Sequence, residues 1–286
     1  MQKILVTGAN GQLGQELKEL SAHYQDYKFY FFDKHQLNIT DAKAVEILLR
    51  ELQPHVVINC AAYTAVDKAE SESELAYSIN AEAVAILAGI TYELHIKFIH
   101  ISTDYVFDGS SSVPYKEDDA TAPINEYGRT KLEGENKCVQ NNPEAIIIRT
   151  SWVYSSFGNN FVKTMIRLMN ERTEIGVVSD QWGNPTYAAD LAEVLMQIID
   201  GDKWIPGIYH FSNEGCITWH QFANTISKEI NSACVINSIT TDQYPTPAKR
   251  PLYSVLNKEK IQNIFSVNIN DWKESLVKCI RKINVV

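Results

Sequence analysis

Residues 3–14 read KILVTGANGQLG, a short apolar run that leads into three regularly spaced glycines, Gly8, Gly11 and Gly14. The apolar run predicts a buried strand, and the pattern from Gln15 to Leu20 predicts a helix directly after the glycines. Glycines at these positions permit a tight turn, close approach of the backbone to a pyrophosphate and close packing of helix on strand. The stretch therefore predicts a dinucleotide site at the helix N-terminus. An ordinary strand-to-helix turn is the alternative.

The acid that follows the next predicted strand indicates where the adenosine end would bind. Residues 29–32 are all aromatic and lead to Asp33, which lies 19 residues after Gly14. A carboxylate at this distance can hydrogen-bond the ribose diol, as in NAD-type sites. Asp33 could instead stabilise a turn. Lys34 could contact a 2′-phosphate, so both NADPH and NADH stay open as cofactors.

Strands and helices alternate steadily as far as residue 150. Further buried strands are predicted within 54–62, 98–101 and 145–149, with helical patterns between them. This alternation predicts an α/β fold with a Rossmann-type doubly wound parallel sheet, whose ligands lie outside the carboxyl ends of the strands. After residue 150 the rhythm changes, which predicts a smaller, partly interleaved C-terminal substrate domain. We expect a dinucleotide-binding domain and a substrate-binding domain that divide the chain into 1–150 with a returning segment at about 171–205, and 151–170 with 206–286.

The composition argues against several classes of partner. Of the 286 residues 45% are hydrophobic and 21% charged, and the net charge of −9 disfavours nucleic-acid binding. No apolar run reaches about 18 residues, so no membrane-spanning helix is predicted, and the apolar start is too short for a signal peptide. The five cysteines lack the spacing of a zinc site and favour free thiols in a reducing compartment. We therefore expect a cytoplasmic protein with a small-molecule substrate.

A tyrosine and a lysine four residues apart form the candidate catalytic pair. Tyr127 and Lys131 fall on one face of a predicted helix, and Thr103 ends a predicted strand 24 residues earlier. The spacing alone is weak evidence, since Tyr24 and Lys28 also match it but have no hydroxyl-bearing strand end upstream. A nearby ammonium is expected to lower the pKa of the phenol from about 10, which suits it to donate a proton to a carbonyl. The glycine turn would bring the hydride donor.

Other polar and aromatic residues have two interpretations each. Trp152 could belong to the core or form a platform for a base or sugar ring, and its amide-rich surroundings favour the platform. Asn160 could hydrogen-bond a ligand or shape a turn. Arg250 is flanked by prolines in a stiff loop and could bind phosphate. Glu16 and Asp190 could touch a metal, although solvated helix acids are the more common case.

Several longer segments resemble a known family. The glycine turn together with Tyr127 and Lys131 resembles the extended short-chain dehydrogenase/reductase superfamily. Further segments narrow the resemblance to the dTDP-4-dehydrorhamnose reductases. They read AAYTAVDKAE at 61–70, STDYVFDG at 102–109, RTSWVY at 149–154, GNNF at 158–161 and PTPAKRP at 245–251. The resemblance covers nearly the whole chain.

The resemblance implies the last step of dTDP-L-rhamnose synthesis, in which NADPH or NADH reduces C4 of dTDP-4-dehydro-β-L-rhamnose. It implies that Tyr127 donates the proton, that Thr103 polarises the 4-keto oxygen, and that Lys131 holds the nicotinamide ribose and tunes Tyr127. The predicted substrate contacts are Thr103, Asp104, Trp152, Asn160 and Arg250. The predicted cofactor contacts are Gly8, Gly11, Gln12, Leu13, Gly14, Asp33, Asn38, Ile39, Ala62, Tyr63, Thr64, Tyr127 and Lys131.

Two departures from the family pattern concern adenine and metal. The family often has Asp-Ile near the adenine, where this chain has Asn38 and Ile39, and an amide can still hydrogen-bond adenine. Some members form a magnesium-linked dimer through three acids. Glu16 matches one and Asp190 is a shorter version of another, but residues 280–283 contain no acid. A bound Mg²⁺ is therefore not expected, and the protein is expected to be a monomer or a homodimer.

Two alternative functions share the fold. A non-catalytic, nucleotide-binding regulatory subunit would be expected to have a damaged proton-donor set, whereas Thr103, Tyr127 and Lys131 are all present. A nucleotide-sugar epimerase or dehydratase is the other alternative. A dehydratase would need an Asp-Glu pair beside the catalytic hydroxyl, and here Asp104 is followed by Tyr105.

Overall fold

The computed structural model describes residues 1–285. The strands are β1 (Gln2–Thr7), β2 (Tyr27–Phe32), β3 (Val56–Asn59), β4 (Lys97–Thr103), β5 (Ile146–Thr150), β6 (Val153–Tyr154), β7 (Glu174–Val178), β8 (Trp182–Gly183), β9 (Thr186–Tyr187), β10 (Gly207–His210), β11 (Ile217–Thr218) and β12 (Val235–Ile239). The α-helices are α1 (Gln12–Leu20), α2 (Ala42–Leu52), α3 (Val66–Ala69), α4 (Ser73–Tyr77), α5 (Ala83–Glu93), α6 (Glu126–Asn141), α7 (Phe161–Glu171), α8 (Ala188–Asp200), α9 (Trp219–Glu229), α10 (Glu259–Phe265) and α11 (Trp272–Val285).

Six strands form one parallel sheet in the order β10-β5-β4-β3-β1-β2. From β1 the chain moves outward to β2 and then returns past β1 to β3, so the winding direction reverses between β1 and β3. A crevice opens beyond the carboxyl ends of neighbouring strands at such a reversal. The predicted α/β fold with a Rossmann-type doubly wound sheet is confirmed.

Each face of the large sheet packs against its own apolar core. In β1 the side chains of Ile4 and Val6 enter one core and that of Leu5 the other, because successive side chains of a strand alternate in direction. The first core is completed by α1 and α8, through residues such as Leu17 and Leu195. The second is completed by α2 and α5. Both faces are buried, as is usual for a parallel sheet.

The helical run Ser73–Glu93 joins α4 and α5 through a π-helical turn, Ser78–Glu82. By length and composition alone this run could cross a membrane, although no such helix was predicted from the sequence. In the fold, its Val84 and Leu87 are fully buried in the core beneath the large sheet. The run therefore acts as a core helix here, and its apolar composition is explained by packing.

A smaller part of the fold is built around a second pair of strands, β7 and β12, which pair in parallel. Helices α7, α9 and α11 contribute to an apolar core of their own, in which Tyr154, Phe222 and Trp272 are buried. This core contains mostly large aromatic and aliphatic side chains. It closes the open side of the crevice at the large sheet.

The predicted domain boundaries differ from the structure in two places. Strand β10 was placed in the substrate domain, but it is the sixth strand of the large sheet and pairs with β5 from Gly207 to His210. Strand β7 was placed in the returning segment, but it pairs with β12 in the smaller part. The reason is that β5 has a free edge that a later strand can extend, and pairing between distant strands leaves no local pattern. Helix α8, in the same returning segment, does pack on α1.

Candidate active site

A cleft of about 950 Å³ lies at the carboxyl ends of β1, β3 and β4, between the large sheet and the smaller part of the fold. Most of the predicted site residues line it, namely Gly8, Gly11, Gln12, Leu13, Gly14, Asp33, Asn38, Ile39, Ala62, Thr64, Thr103, Asp104, Tyr127, Lys131 and Trp152. The other three predicted residues, Tyr63, Asn160 and Arg250, lie outside the lining.

The glycine turn has the geometry of a phosphate cradle. Gly8 has φ of +68°, and a Cβ added there would lie 2.6 Å from the backbone nitrogen of Ala61. A Cβ on Gly14 would lie 2.4 Å from the carbonyl oxygen of Gly8. Helix α1 begins after Gly11 without a side-chain cap, so its first N–H groups stay available at the cleft. The turn therefore fits the pyrophosphate of a dinucleotide, and any larger residue at Gly8 or Gly14 would collide with the backbone and distort the turn.

The rim beyond the turn carries the residues expected at the adenosine end. Asp33 follows β2 and is partly buried. Its Oδ2 accepts a hydrogen bond from Asn10 at 2.8 Å, and its Oδ1 accepts from the backbone N–H groups of His35 and Gln36. These backbone hydrogen bonds are the main cause of its lowered pKa. Asp33 is thus a fixed carboxylate on the rim of the cleft, and it is held there by Asn10, for which no prediction was made from the sequence.

The segment after β3 turns one predicted contact away from the cleft. Ala62 and Thr64 line the cleft, but the Tyr63 hydroxyl donates to Glu72 at 2.7 Å. The Tyr63 backbone is held on both sides by Asn80, which accepts from its N–H and donates to its carbonyl oxygen. Alternation along an extended segment explains the outcome, because neighbouring side chains point in opposite directions. Tyr63 therefore lies outside the cleft lining, and its contact with the cofactor stays a prediction.

Thr103 and Tyr127 both line the cleft. Thr103 ends β4, and Tyr127 lies in the first turn of α6. Burial raises the pKa of Tyr127 to about 12, an effect that the nearby Thr103 hydroxyl opposes and the charge of Asp104 reinforces. Tyr127 therefore keeps its proton at neutral pH. It is an available general acid, with a proton to give to an oxygen that becomes basic during reaction.

Lys131 does not act on Tyr127 in the predicted way. Its Nζ is buried, donates to the carbonyl oxygen of Ile101 at 2.6 Å and lies 3.4 Å from His100 Nε2. Burial lowers the pKa of Lys131 to about 8. The expected lowering of the phenol pKa by a facing ammonium is therefore wrong for the protein alone, because a strand carbonyl and an imidazole hold the amine instead.

Asp104 is a buried carboxyl with one unsatisfied oxygen. Its Oδ1 accepts the hydroxyl proton of Thr103 at 3.0 Å, while Oδ2 has no hydrogen-bond partner in the described chain. Burial is the main reason that its pKa rises to about 6. Asp104 also lines the cleft, so its free oxygen is placed to meet a polar group of a ligand.

Aromatic rings form the wall that the smaller part contributes. Trp152 adopts a left-handed backbone with φ of +48° and stacks on Trp219, with ring centroids 3.5 Å apart and planes 10° apart. Gly183 lies against the Trp152 ring, and a Cβ added at Gly183 would lie 2.6 Å from that indole. Phe161 packs against Trp219 and also lines the cleft. The platform predicted at Trp152 is therefore a group of three rings, in which Trp152 and Trp219 are stacked and Phe161 is tilted by 46° against Trp219. Only Trp152 was predicted from the sequence.

Two predicted substrate contacts have structural partners instead. Asn160 caps α7 by accepting from the Lys163 N–H, and its amide donates to Gln12 Oε1 at 3.0 Å. Arg250 makes a two-pronged ion pair with Asp67, at 2.9 and 2.8 Å. Asn160 thus joins the glycine turn to the smaller part, and Arg250 is not a free phosphate-binding cation. The neighbouring prolines predict a stiff loop at Arg250, but no local pattern indicates its partner Asp67, which lies 183 residues away in the sequence.

The two acids considered for a metal have other partners. Glu16 is buried, accepts from Ser155 and pairs with the ammonium of Lys282 at 2.8 Å. Asp190 accepts from Asn213, Asn270 and Ser275. No group of three or more metal-ligating side chains occurs in residues 1–285. Neither acid is free for a metal, because Glu16 is paired with a cationic side chain and Asp190 is surrounded by amide and hydroxyl donors.

Comparisons with known proteins agree on one family. Residues 1–285 match the model described as "RmlD substrate binding domain". A dTDP-4-dehydrorhamnose reductase of Aggregatibacter actinomycetemcomitans is 43% identical over 286 residues, covering 96% of this chain and 97% of the relative. A crystal structure of a dTDP-4-dehydrorhamnose reductase from Clostridium acetobutylicum superposes with a TM-score of 0.95 at 42% identity, covering 99% of this chain and 100% of the other. One from Bacillus anthracis, in complex with NADP, has a TM-score of 0.94 at 41% identity, with the same coverage.

Proposed function

This chain belongs to the family of dTDP-4-dehydrorhamnose reductases, and we propose that it reduces the 4-keto group of dTDP-4-dehydro-β-L-rhamnose to give dTDP-L-rhamnose. The observation that carries the proposal is the hydroxyl pair of Thr103 and Tyr127, which lies in the same cleft as the glycine turn. A proton donor and a dinucleotide cradle in one cleft are what carbonyl reduction requires. The product retains the nucleotide and gains a C4 hydroxyl.

The cofactor is NADPH or NADH, which supplies the hydride when it is bound. Gly8, Gly11 and Gly14 leave room for its pyrophosphate, and the N-terminus of α1 faces the phosphate charge. Asp33 is held at the ribose of the adenosine end. Lys34 and His35 also lie at this rim, where they could face a 2′-phosphate. The site thus offers contacts for either nucleotide.

Tyr127 delivers the proton that the C4 oxygen takes up as the carbonyl becomes an alcohol. Its raised pKa keeps the phenol protonated until that oxygen becomes basic. The Thr103 hydroxyl has a single proton, and it donates a hydrogen bond to the Asp104 carboxyl at 3.0 Å. It can polarise the 4-keto oxygen only when its proton turns away from Asp104.

The sugar nucleotide occupies the part of the cleft nearest the smaller part of the fold. The rings of Trp152, Trp219 and Phe161 offer an apolar wall to a sugar or base. The free oxygen of Asp104 accepts from, or in its protonated form donates to, a sugar hydroxyl. In this division of labour, the large sheet with α1 and α6 binds the cofactor. The residues around α7 and α9 bind the substrate.

The cellular setting follows from the same proposal. Nucleotide sugars and reduced nicotinamides are made in the cytoplasm, so we place the enzyme there, acting on a small molecule without a membrane or nucleic-acid partner. We propose that it works as a monomer or a homodimer.

Oxidation of NADPH and of NADH, followed by absorbance with the dTDP-4-keto-6-deoxyhexose generated in situ, tests the proposal. We expect oxidation with the dTDP sugar and little with its UDP or GDP analogues. Absence of oxidation with every sugar would refute reductase activity and favour the nucleotide-binding regulatory subunit. Release of an epimerised or dehydrated sugar without net oxidation would favour the epimerase or dehydratase.

A further inference from the structure

Three polar side chains form a buried row across the middle of the large sheet. Thr7 of β1 is the register partner of Asn59 of β3, and Asn59 is the register partner of His100 of β4. Each of the three is at most 1% exposed. The row leads to Lys131 of α6, whose Nζ lies 3.4 Å from His100 Nε2. Buried polar groups of this kind must satisfy one another, since no solvent reaches them.

The hydrogen bonds along the row fix the orientation of Asn59. Thr7 Oγ1 and Asn59 Oδ1 are 2.6 Å apart, a distance typical of a hydroxyl donating to oxygen and short for an amide N–H. The Ala61 N–H also points to Asn59 Oδ1. Asn59 Oδ1 is therefore the acceptor of both, and its amide nitrogen faces His100 Nδ1 at 3.1 Å. Since the amide can only donate, His100 Nδ1 must carry the lone pair.

A neutral imidazole without a proton on Nδ1 has its proton on Nε2. His100 stays neutral, because burial holds its pKa well below the ordinary value. Its Nε2–H then points at the Lys131 nitrogen. An ammonium there would set donor against donor, whereas a neutral amine could accept this proton and still donate to the Ile101 carbonyl oxygen at 2.6 Å.

We infer that His100 is a positioning residue for Lys131, and that Asn59 and Thr7, by fixing the His100 tautomer, favour the neutral amine of Lys131. The row of strand residues thereby sets how easily the catalytic lysine gains or loses its proton. The inference concerns residues that do not face the substrate or cofactor directly. It assigns a task to a buried histidine that would otherwise be only a core residue.

The other charged groups around Lys131 do not cancel the effect of the His100 tautomer on its amine. Glu135 lies one helical turn along α6 and favours the ammonium, as does the more distant Cys138. Glu135 is however committed to a buried ion pair with Arg149 of β5 at 2.7 Å and to the hydroxyl of Ser102. No carboxylate in residues 1–285 is hydrogen-bonded to Lys131 Nζ. Burial outweighs these charges and lowers the pKa of Lys131 to about 8.

The consequence for turnover rests on the proposed function. The family resemblance places Lys131 at the nicotinamide ribose, where an ammonium would hold a ribose hydroxyl more strongly than a neutral amine would. The rate of reduction should therefore fall above the pKa of Lys131. A change that no longer fixes the tautomer of His100 should move this fall in rate, the alkaline limb of the pH–rate profile, to higher pH.

Nuclear magnetic resonance tests the inference on the whole protein without any activity. Long-range ¹⁵N–¹H correlation spectra of His100, assigned by its loss in His100→Phe, should show the proton on Nε2. The ¹³Cε resonance of Lys131, assigned by its loss in Lys131→Arg, reports the protonation of the amine. A proton on Nδ1 of His100 would overturn the inference.

Asn59→Leu is the decisive variant, because it removes the amide donor that faces Nδ1. His100 can then carry its proton on Nδ1 and present the lone pair of Nε2 to Lys131. The inference expects the pKa of Lys131 to rise by about one unit, as expected when a hydrogen bond favours the charged form. A purely apolar effect of the leucine would lower it instead. Asn142→Leu, which removes another buried amide, is the matched control and should leave Lys131 unchanged.

The alkaline limb of kcat/KM for nicotinamide oxidation should follow the Lys131 titration in Asn59→Leu. An unchanged or lowered pKa of Lys131 in folded Asn59→Leu would refute the inference. If Asn59→Leu does not fold, the His100 tautomer in the wild-type protein still decides. Failure of wild-type turnover would count against the proposed function alone, because both resonance measurements stand without it.

Discussion

Replacing Asp104 with asparagine tests the electrostatics of the cleft through stability. Asp104 is 2% exposed, and burial raises its pKa from 3.8 to about 6. The folded protein thus holds this proton more tightly than the unfolded chain does. The associated stability is fully present below the unfolded pKa and is lost as the pH rises through about 6. At about 1.4 kcal/mol per pKa unit, the wild-type protein loses about 3 kcal/mol over this range, whereas asparagine does not titrate.

We therefore expect the free energy of unfolding of Asp104→Asn to gain about 3 kcal/mol on the wild-type value between pH 3.5 and pH 8. Urea unfolding followed by circular dichroism at each pH measures the difference. Asp108→Asn is the matched control, because hydrogen bonds from Ser110 lower the pKa of Asp108 and give the opposite sign. A difference between Asp104→Asn and wild type that does not change with pH would refute the reasoning.

Three further substitutions test the cradle, the core and the aromatic wall. Gly14→Ala should abolish NADPH binding in calorimetry, since its Cβ would lie 2.4 Å from a backbone oxygen, whereas Gly89→Ala, with no atom nearer than 3.9 Å, should bind normally. Glu135→Gln should lower the free energy of unfolding in urea by about 3–5 kcal/mol, because it leaves a buried guanidinium unpaired. The surface pair lost in Glu126→Gln should cost at most about 1 kcal/mol, and equal losses would contradict this. Trp219→Ala should raise KM for the sugar nucleotide by about five- to tenfold, as expected for an aromatic pair worth about 1 kcal/mol, with NADPH affinity unchanged. An unchanged KM in steady-state kinetics would exclude the ring from the substrate wall.

The predicted site residues that line the cleft are those whose positions depend on local geometry. The glycines of residues 8–14 are needed by the turn itself, since a Cβ at either end would collide with backbone. Asp33 and Thr103 end strands of a parallel sheet, and the carboxyl ends of such strands meet at one edge. Tyr127 follows from helical spacing once α6 is placed. Each of these positions can be predicted from a short stretch of neighbouring sequence.

The parts that escaped prediction depend on contacts between distant segments. Trp219 lies 67 residues after Trp152, and no sequence spacing indicates that their rings stack. Arg250 was assigned to phosphate because its carboxylate partner lies in another part of the chain. Lys131 was expected to act on the phenol, but the imidazole of His100 and a strand carbonyl compete for its amine. Strand β10 joined the large sheet through an edge that only the fold creates.

The central claim is that the phenol of Tyr127 gives its proton to the substrate oxygen. Single-turnover oxidation of bound NADPH by the dTDP-4-keto sugar, compared between wild type and Tyr127→Phe, tests it most directly. Loss of a general acid is typically worth about 10²–10⁴-fold, so we expect a fall of at least about 100-fold with unchanged NADPH affinity. A Tyr127→Phe protein that oxidises NADPH at the wild-type rate would contradict the account.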